Sequence, residues 1–244
     1  MRGKWILVGS IVTVLLLALA AGFSGAQENS ATPGELRYIM ADAAPAVSAT
    51  FYATGDTYVY EMAPASNYGS APLMYVANYW GEEFHGDAWM LVRFSFSGYP
   101  SGVIYKTATL WLYQHGYTGD NVYRMIRICR AGSDWDAATV TWNSRPTGCN
   151  GYRTFTEAPG TAWRSYDVTS LVAGWLDGSV PNYGFSIWPE SADEWAFIYR
   201  TYNWDSAHTY WPYLVVTYEY PTPTPTRTPT PTPTRTPTLT PTPT

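Results

Sequence analysis

Between about residues 51 and 220, apolar and polar side chains alternate in short runs separated by Gly, Pro, Asn and Ser. This period of two constrains the fold more than any other feature, because only a strand turns successive side chains to opposite faces. The runs are Asp56–Glu61, Leu73–Ala77, Ala88–Phe96, Ala108–Tyr113, Val122–Cys129, Thr139–Trp142, Tyr183–Trp188, Trp195–Tyr199 and Tyr213–Tyr218. They are rich in Tyr, Trp, Val and Thr, residues that fit a pleated, half-buried surface. Short strands at regular spacing predict an all-β sandwich or barrel. Val168–Asp177 alone carries helical spacing. There Asp167 or Thr169 can cap a short helix that covers one end of the sheets through Leu171, Val172 and Trp175. In Leu110–Tyr113 both faces are apolar, as expected of a strand packed inside and also covered outside. Arg124 and Arg127 stand at odd spacing, so a regular strand would send them to opposite faces; a bulge or strand end between them leaves their faces open.

The two ends read differently. Arg2 and Lys4 precede an apolar stretch from Trp5 to Phe23, followed by the small residues Ser24-Gly25-Ala26. That order is a secretory signal peptide over residues 1–26, favoured over a membrane anchor by the small-residue exit, so no membrane insertion is expected after cleavage. Residues 27–50, rich in Ala, Ser and Pro, read as a flexible linker. From Pro221 to Thr244, nine prolines and twelve threonines alternate around Arg227, Arg235 and Leu239. Proline fixes φ and donates no backbone hydrogen bond, so this tail predicts an extended stalk, disordered in the sense of unpacked, roughly 75 Å long. It suits a spacer between the module and its attachment, or a glycosylated terminus.

Export sets the redox context. Cys129 and Cys149 are the two cysteines of the chain, and in an oxidising compartment they are expected to pair. The domain expected over 51–220 carries nine Lys and Arg against sixteen Asp and Glu. Such a balance argues against a nucleic-acid partner, which requires a basic footprint.

Several runs stand in an order that resembles a known family. Asp56-Thr-Tyr-Val, Asn67-Tyr-Gly-Ser, Leu91-Val-Arg-Phe, Pro100-Ser-Gly and Ala108-Thr-Leu-Trp-Leu form the first half. Val140-Thr-Trp-Asn143 with Pro146, Asp167-Val-Thr, Trp175, Asn182-Tyr-Gly-Phe185 and Pro212-Tyr-Leu-Val-Val-Thr-Tyr218 form the second. Together they resemble the DNRLRE, or disaggregatase-related, domain of secreted bacterial and archaeal proteins, over nearly all of 52–219. The resemblance implies a jelly-roll-like antiparallel β-sandwich that serves as an accessory domain, with some relatives similar to alginate-binding carbohydrate modules. Most shared residues also have structural uses: Gly69, Gly102 and Gly184 suit turns that need unusual φ, and Asn143 and Asn182 suit turns capped by a side-chain amide. Trp142, Trp175 and Tyr218 fall in apolar alternation and are expected in the core.

Catalytic signatures are not found: there is no Gly-x-Ser-x-Gly elbow, zinc helix or phosphate-cradling loop. His85, His115 and His208 are scattered, and the neighbouring carboxylates Glu82-Glu83, Asp134 with Asp136, and Asp193-Glu194 read as solvated. No cofactor is expected, apart from one structural candidate. A calcium ion needs six to eight oxygens, and Asp56 and Glu61 on the first strand with Glu219 on the last are the candidates. The competing reading is an acidic edge that discourages strand pairing.

Aromatic residues are the richest signal, with 12 Trp and 21 Tyr in the chain. Sugars stack on flat rings beside polar hydrogen-bonding groups, so a surplus of Trp and Tyr suits glycan binding. Residues 188–211 are the preferred region, with Trp188, Trp195, Arg200, Tyr202, Trp204, Asp205 and Trp211 as candidate carbohydrate-binding residues; Tyr79-Trp80 and Trp163 are further aromatics off the main runs. The expected function is a non-catalytic module, secreted or held at the cell surface, that binds polysaccharide or a cell-surface glycan. Its alternatives are a structural unit contacting other surface proteins, and a hydrolase or lyase fragment.

Overall fold

The computed structural model describes residues 45–78, 86–191, 195–203 and 208–222. Residues 1–44, which hold the expected signal peptide and most of the expected linker, and the tail beyond Thr222 lie outside them, as do Tyr79, Trp80, Glu82, Glu83, His85, Asp193, Glu194, Trp204 and Asp205. Ten strands and one helix follow in the order β1 (Val47–Tyr60), β2 (Leu73–Asn78), β3 (Ala88–Phe94), β4 (Ile104–Thr118), β5 (Arg124–Ala131), β6 (Cys149–Glu157), β7 (Ala162–Asp167), α1 (Thr169–Leu176), β8 (Phe185–Pro189), β9 (Trp195–Arg200) and β10 (Tyr213–Glu219). β1 begins within the stretch whose composition reads as linker.

All pairings are antiparallel, and six strands close on themselves in the ring β1–β10–β4–β9–β2–β3. The expectation of a plain jelly-roll-like sandwich is corrected here to a closed six-strand barrel with extensions. Closure depends on two long strands that change partner part-way. β1 pairs with β10 up to Tyr52 and with β3 from Ala53 onward, with a register shift between Ala53 and Gly55. β4 pairs with β10 through Trp111 and with β9 from Gln114, with a shift between Gln114 and Gly116. Such bulges bend a strand and raise its twist, so one strand can serve two layers. From the ring, β8, β5 and β6 extend beyond β3, and β7 adds to β4.

One core fills the interior. Leu110, Leu112, Leu214 and Val216 from one wall meet Met90, Val92, Ile126, Ile128, Phe185 and Ile187 from the other, all fully buried. Each such aliphatic contributes about 1.5–3 kcal/mol by leaving water. α1 closes one end through Leu171, Val172 and Trp175. Its cap position is Val168, which has no side-chain oxygen, and Asp167 accepts from the backbone N–H of Thr169 at 3.0 Å instead.

Thr139–Trp142 does not form the expected strand. It belongs to a turn-rich loop that covers the outer side of β1 and β3, where Trp135 and Val140 bury Val59 and Leu91. Asn67 fastens this loop by donating to the carbonyls of Ala137 and Val140 at 2.8 and 2.7 Å. Gly69 is required for close approach: a Cβ there would stand 1.9 Å from the Ala137 carbonyl oxygen. Its φ is not positive, unlike that of Gly184 at +80°. Thus Asn67-Tyr-Gly69 and Val140-Thr-Trp-Asn143 interlock two loops and do not form a site. Sequence alternation also missed β6 and β7, whose exposed faces leave little apolar pattern.

Cys129 and Cys149 form a disulfide that joins β5 to the start of β6, closing a loop of 20 residues. Replacing both by Ala should lower unfolding stability by about 3 kcal/mol in the chain-entropy account, measured by urea denaturation; an unchanged midpoint would contradict it.

Asp56 is fully buried, and its carboxylate accepts from the Tyr202 backbone N–H at 2.9 Å. Burial pushes this carboxyl up to about 8, outweighing that hydrogen bond. The unfolded chain releases the proton near pH 4, whereas the folded chain holds it to about pH 8. The group's favourable term is therefore complete at acid pH and is lost as pH rises through that window. Asp56→Asn should gain stability relative to the parent between about pH 5 and about pH 8, read from paired denaturation curves. A difference independent of pH would refute the assignment.

Candidate functional site

The register of β1, β10, β4 and β7 decides which side chains leave the core together. Leu110, Leu112, Leu214 and Val216 point inward, so Trp111, Tyr113, Tyr213 and their neighbours point outward. Tyr52 pairs with Tyr213, Tyr213 with Trp111, and Trp111 with Ser165. These four residues form one row across four strands, roughly 15 Å long. Tyr113 and Trp163, themselves a cross-strand pair, begin the next row.

The rings are in mutual contact. Trp111 and Tyr213 are parallel within 8° at 5.8 Å between centroids, and Trp163 meets Tyr213 at 5.1 Å and Tyr113 at 5.4 Å. Tyr210 leans on Tyr113 at 4.2 Å. At the β1 end, Tyr52 neighbours Tyr213 and Trp211, and Trp211 stacks on His208 at 3.6 Å. Tyr52 is 45% exposed, and the remaining tryptophans and tyrosines of the belt are half-buried. Such contacts hold each ring's orientation at little further entropy cost, which is what a stacking platform needs.

Polar groups gather on the other, inward face of β4 and β7. Arg164 donates to Gln114 at 2.7 Å, lies 2.9 Å from Glu157, and donates to the Ala158 carbonyl at 2.8 Å. Tyr166 donates to the other oxygen of Glu157. Burial raises the Glu157 carboxyl above its usual range despite these partners. A cavity of about 310 Å³ lies here, lined by Glu157, Trp163, Arg164, Ser165 and Tyr166 among others. On β4, His115 accepts from Arg200 at Nδ1 over 2.8 Å; burial, then the Arg200 charge, hold its pKa below the usual imidazole value.

The candidates of 188–211 divide among three places. Tyr202 and Trp211 join the belt, 5.8 Å apart. Trp195 is core, 2% exposed, and Arg200 is buried beside His115. Trp188 lies on the opposite wall, stacked on Trp89 at 4.4 Å, with its indole N–H donated to Ser186. Around that pair, Arg145 sits over Trp142 at 3.6 Å and Trp89 at 4.5 Å, while Arg127 lies over Tyr152 and pairs with Glu190 at 2.5 Å. Of these rings, Trp89 and Trp142 pack against the covering loop, whereas Tyr152 is exposed. Trp204 and Asp205 lie outside the described residues.

The three calcium candidates stand apart. Antiparallel pairing of β1 with β10 sets Val47 opposite Tyr218, so Glu219 lies roughly 30 Å along the strand from Asp56. Glu219 pairs with Lys106 at 2.8 Å, and Glu61 accepts from the Asp87 N–H at 3.0 Å. Among the described residues no three metal-ligating side chains converge.

Sequence reasoning did not single out Tyr52, Trp111, Tyr113, Tyr210 and Tyr213, which the structure brings together in the belt. The signal was available in β4, where the outward face of a strand carries Trp and Tyr although the inward face already supplies the core.

The chain is 28% identical over 191 residues to the tRNA nuclease WapA of Bacillus subtilis, covering 72% of this chain and 8% of that protein. It is 27% identical over 185 residues to the tRNA3(Ser)-specific nuclease WapA of Bacillus spizizenii, covering 71% of this chain and 8% of that one. The chain thus spans under a tenth of the length of these relatives. The model of carbohydrate-binding module family 96 matches residues 47–218, from the first residue of β1 to the penultimate residue of β10. The match carries a carbohydrate-binding family and not the disaggregatase-related name. By this match over most of its length, the chain belongs to carbohydrate-binding module family 96.

Proposed function

We propose that this chain is an exported, non-catalytic module that binds polysaccharide across the aromatic rows of β1, β10, β4 and β7, and is held on a Pro-Thr stalk. The observation that carries this reading is the row Tyr52–Tyr213–Trp111, with Trp163 and Tyr113 beside it. The inward residues of these strands already complete the core, so the outward rings are surplus to folding. A contiguous apolar patch on an outer face is the mark of an interaction site. Family membership supports a glycan as the partner.

Binding is favoured over hydrolysis by the state of Glu157. Its oxygens are occupied by Tyr166, Arg164 and the Ala158 N–H, which leaves this carboxylate beside the cavity no freedom to act as acid or base. That WapA proteins match over only 8% of their length supports an accessory unit joined to other parts, and their nuclease names are not transferred. Export and the stalk rest on the leader and the Pro-Thr tail.

Affinity electrophoresis through a panel of soluble polysaccharides tests the reading. Trp111→Ala with Tyr213→Ala should remove retention, a loss of about tenfold or more in affinity, while thermal unfolding shifts little. Trp195→Ala should instead destabilise by about 3–5 kcal/mol, as expected of a core ring. Undiminished retention in the double variant would exclude the belt. Retention by none of the polysaccharides, with capture of a surface protein that depends on Trp111, would support the protein-contact alternative.

A further inference from the structure

The end of the barrel that α1 covers carries a second concave feature, apart from the aromatic rows. A groove of about 200 Å³ lies between the loop after β3 and the last turn of α1, lined by Tyr99, Val103, Tyr105, Ala173, Leu176 and Asp177. Tyr99, Tyr105 and Leu176 rest on the main core yet stay half-buried, while Asp177 is exposed. The Tyr105 hydroxyl is committed, donating to the Thr169 carbonyl at 2.8 Å. What the groove offers is therefore ring faces and aliphatic carbon, with one carboxylate at its rim.

The polypeptide passes this groove as it leaves the barrel. Tyr218 of β10 pairs with Tyr105 in register and meets Tyr99 edge-on at 5.4 Å between centroids. Tyr220 lies 5.8 Å from Tyr218 and is 51% exposed, and Pro221 follows directly. As polyproline II, Pro221 to Arg227 would span roughly 20 Å. That exceeds the length of α1, roughly 12 Å from Thr169 beside Tyr105 to its last turn.

Shape and charge both match this segment to the groove. Polyproline II docks in grooves walled by aromatic rings and loses little freedom in doing so, because the conformation is preformed. Pro221–Thr244 contains Arg227 and Arg235 and no acidic residue. α1 has no basic residue in its last turn and ends at Asp177, so this end of the helix favours a cation. Hydrogen bonds from Ser179, with a smaller contribution from Arg130, hold the Asp177 carboxyl below its usual range, so it is anionic at neutral pH.

We propose that Pro221–Arg227 docks as polyproline II on the groove of its own molecule, with proline rings over Tyr99, Tyr105 and Leu176 and Arg227 at Asp177. Docking gives the stalk a fixed direction of exit from the barrel, and the repeats beyond Arg227 extend from there. The inference needs only the groove and the Pro-Thr sequence, and is independent of what the aromatic belt binds.

Heteronuclear NMR on the full chain tests it, beside a chain shortened at Tyr220 and two variants of the full chain: Arg227→Glu, and Pro221→Ser with Pro223→Ser and Pro225→Ser. The amide signals of Ala173, Leu176 and Asp177 should differ between full and shortened chains, with those of Trp111 and Trp163 unmoved. Both full-length variants should move the groove signals toward their positions in the shortened chain. Relaxation should show Thr222–Arg227 more ordered than Thr230–Thr244, and all of these effects should be independent of protein concentration. Coincident groove signals in full and shortened chains, or equal relaxation throughout the tail, would overturn the proposal. Groove shifts that fade on dilution would assign the groove to the tail of a second copy and overturn docking within one molecule.

Discussion

Everything in this molecule depends on the fact that a strand has two faces and the fold has one main core. β4 places Leu110, Leu112 and Ala108 inward, where they meet the opposite wall and are completely removed from water. Its other face carries Trp111 and Tyr113, which no further layer of sheet among the described residues covers. β10 and β1 repeat the arrangement with Tyr213 and Tyr52. The hydrophobic effect accounts for the inward set, at about 1.5–3 kcal/mol per side chain. It does not account for the outward set, which remains half in water at a cost to solubility. The proposed glycan binding accounts for such residues on that face.

Ring closure makes the face rigid. Because β1 and β4 change partner at bulges, the rows are fixed by backbone ladders on both sides of β10 and on both sides of β4. A platform on ladder-locked strands loses little freedom when a ligand arrives. The second aromatic group, around Trp89, Trp142 and Trp188, follows the same chemistry to a different end. There Arg145 fills the space between rings, and the loop carrying Trp135 and Val140 covers the sheet. Both groups are half-buried, so neither composition nor burial separates them; what differs is the loop packed against Trp89 and Trp142.

The all-β class, the short helix and most strands were legible because alternation, turn residues and helical spacing are local. The switch of partner in β1 and β4 was not, since a bulge leaves no mark until the opposing strand is known. β6 and β7 escaped because exposed strands lack apolar alternation. Thr139–Trp142 misled for the converse reason: its alternation is genuine, but it packs as a turn fastened by Asn67. For the candidate site, the described residues of 188–211 do not come together in space. Within that segment β9 is a buried strand, so Trp195 faces the core while Tyr202 and Trp211 sit beyond its end. The belt is assembled from residues far apart in the chain, and only β4 contained a readable hint of it.

The central claim is that glycan meets the belt and not the opposite wall. The most direct measurement follows the tryptophan indole N–H signals by heteronuclear NMR while a retained oligosaccharide is titrated in. The account predicts that the Trp111, Trp163 and Trp211 signals shift together along one binding curve, whereas those of Trp195, Trp89 and Trp142 stay in place. Shifts at Trp89, Trp142 and Trp188 with Trp111 and Trp163 unmoved would contradict it.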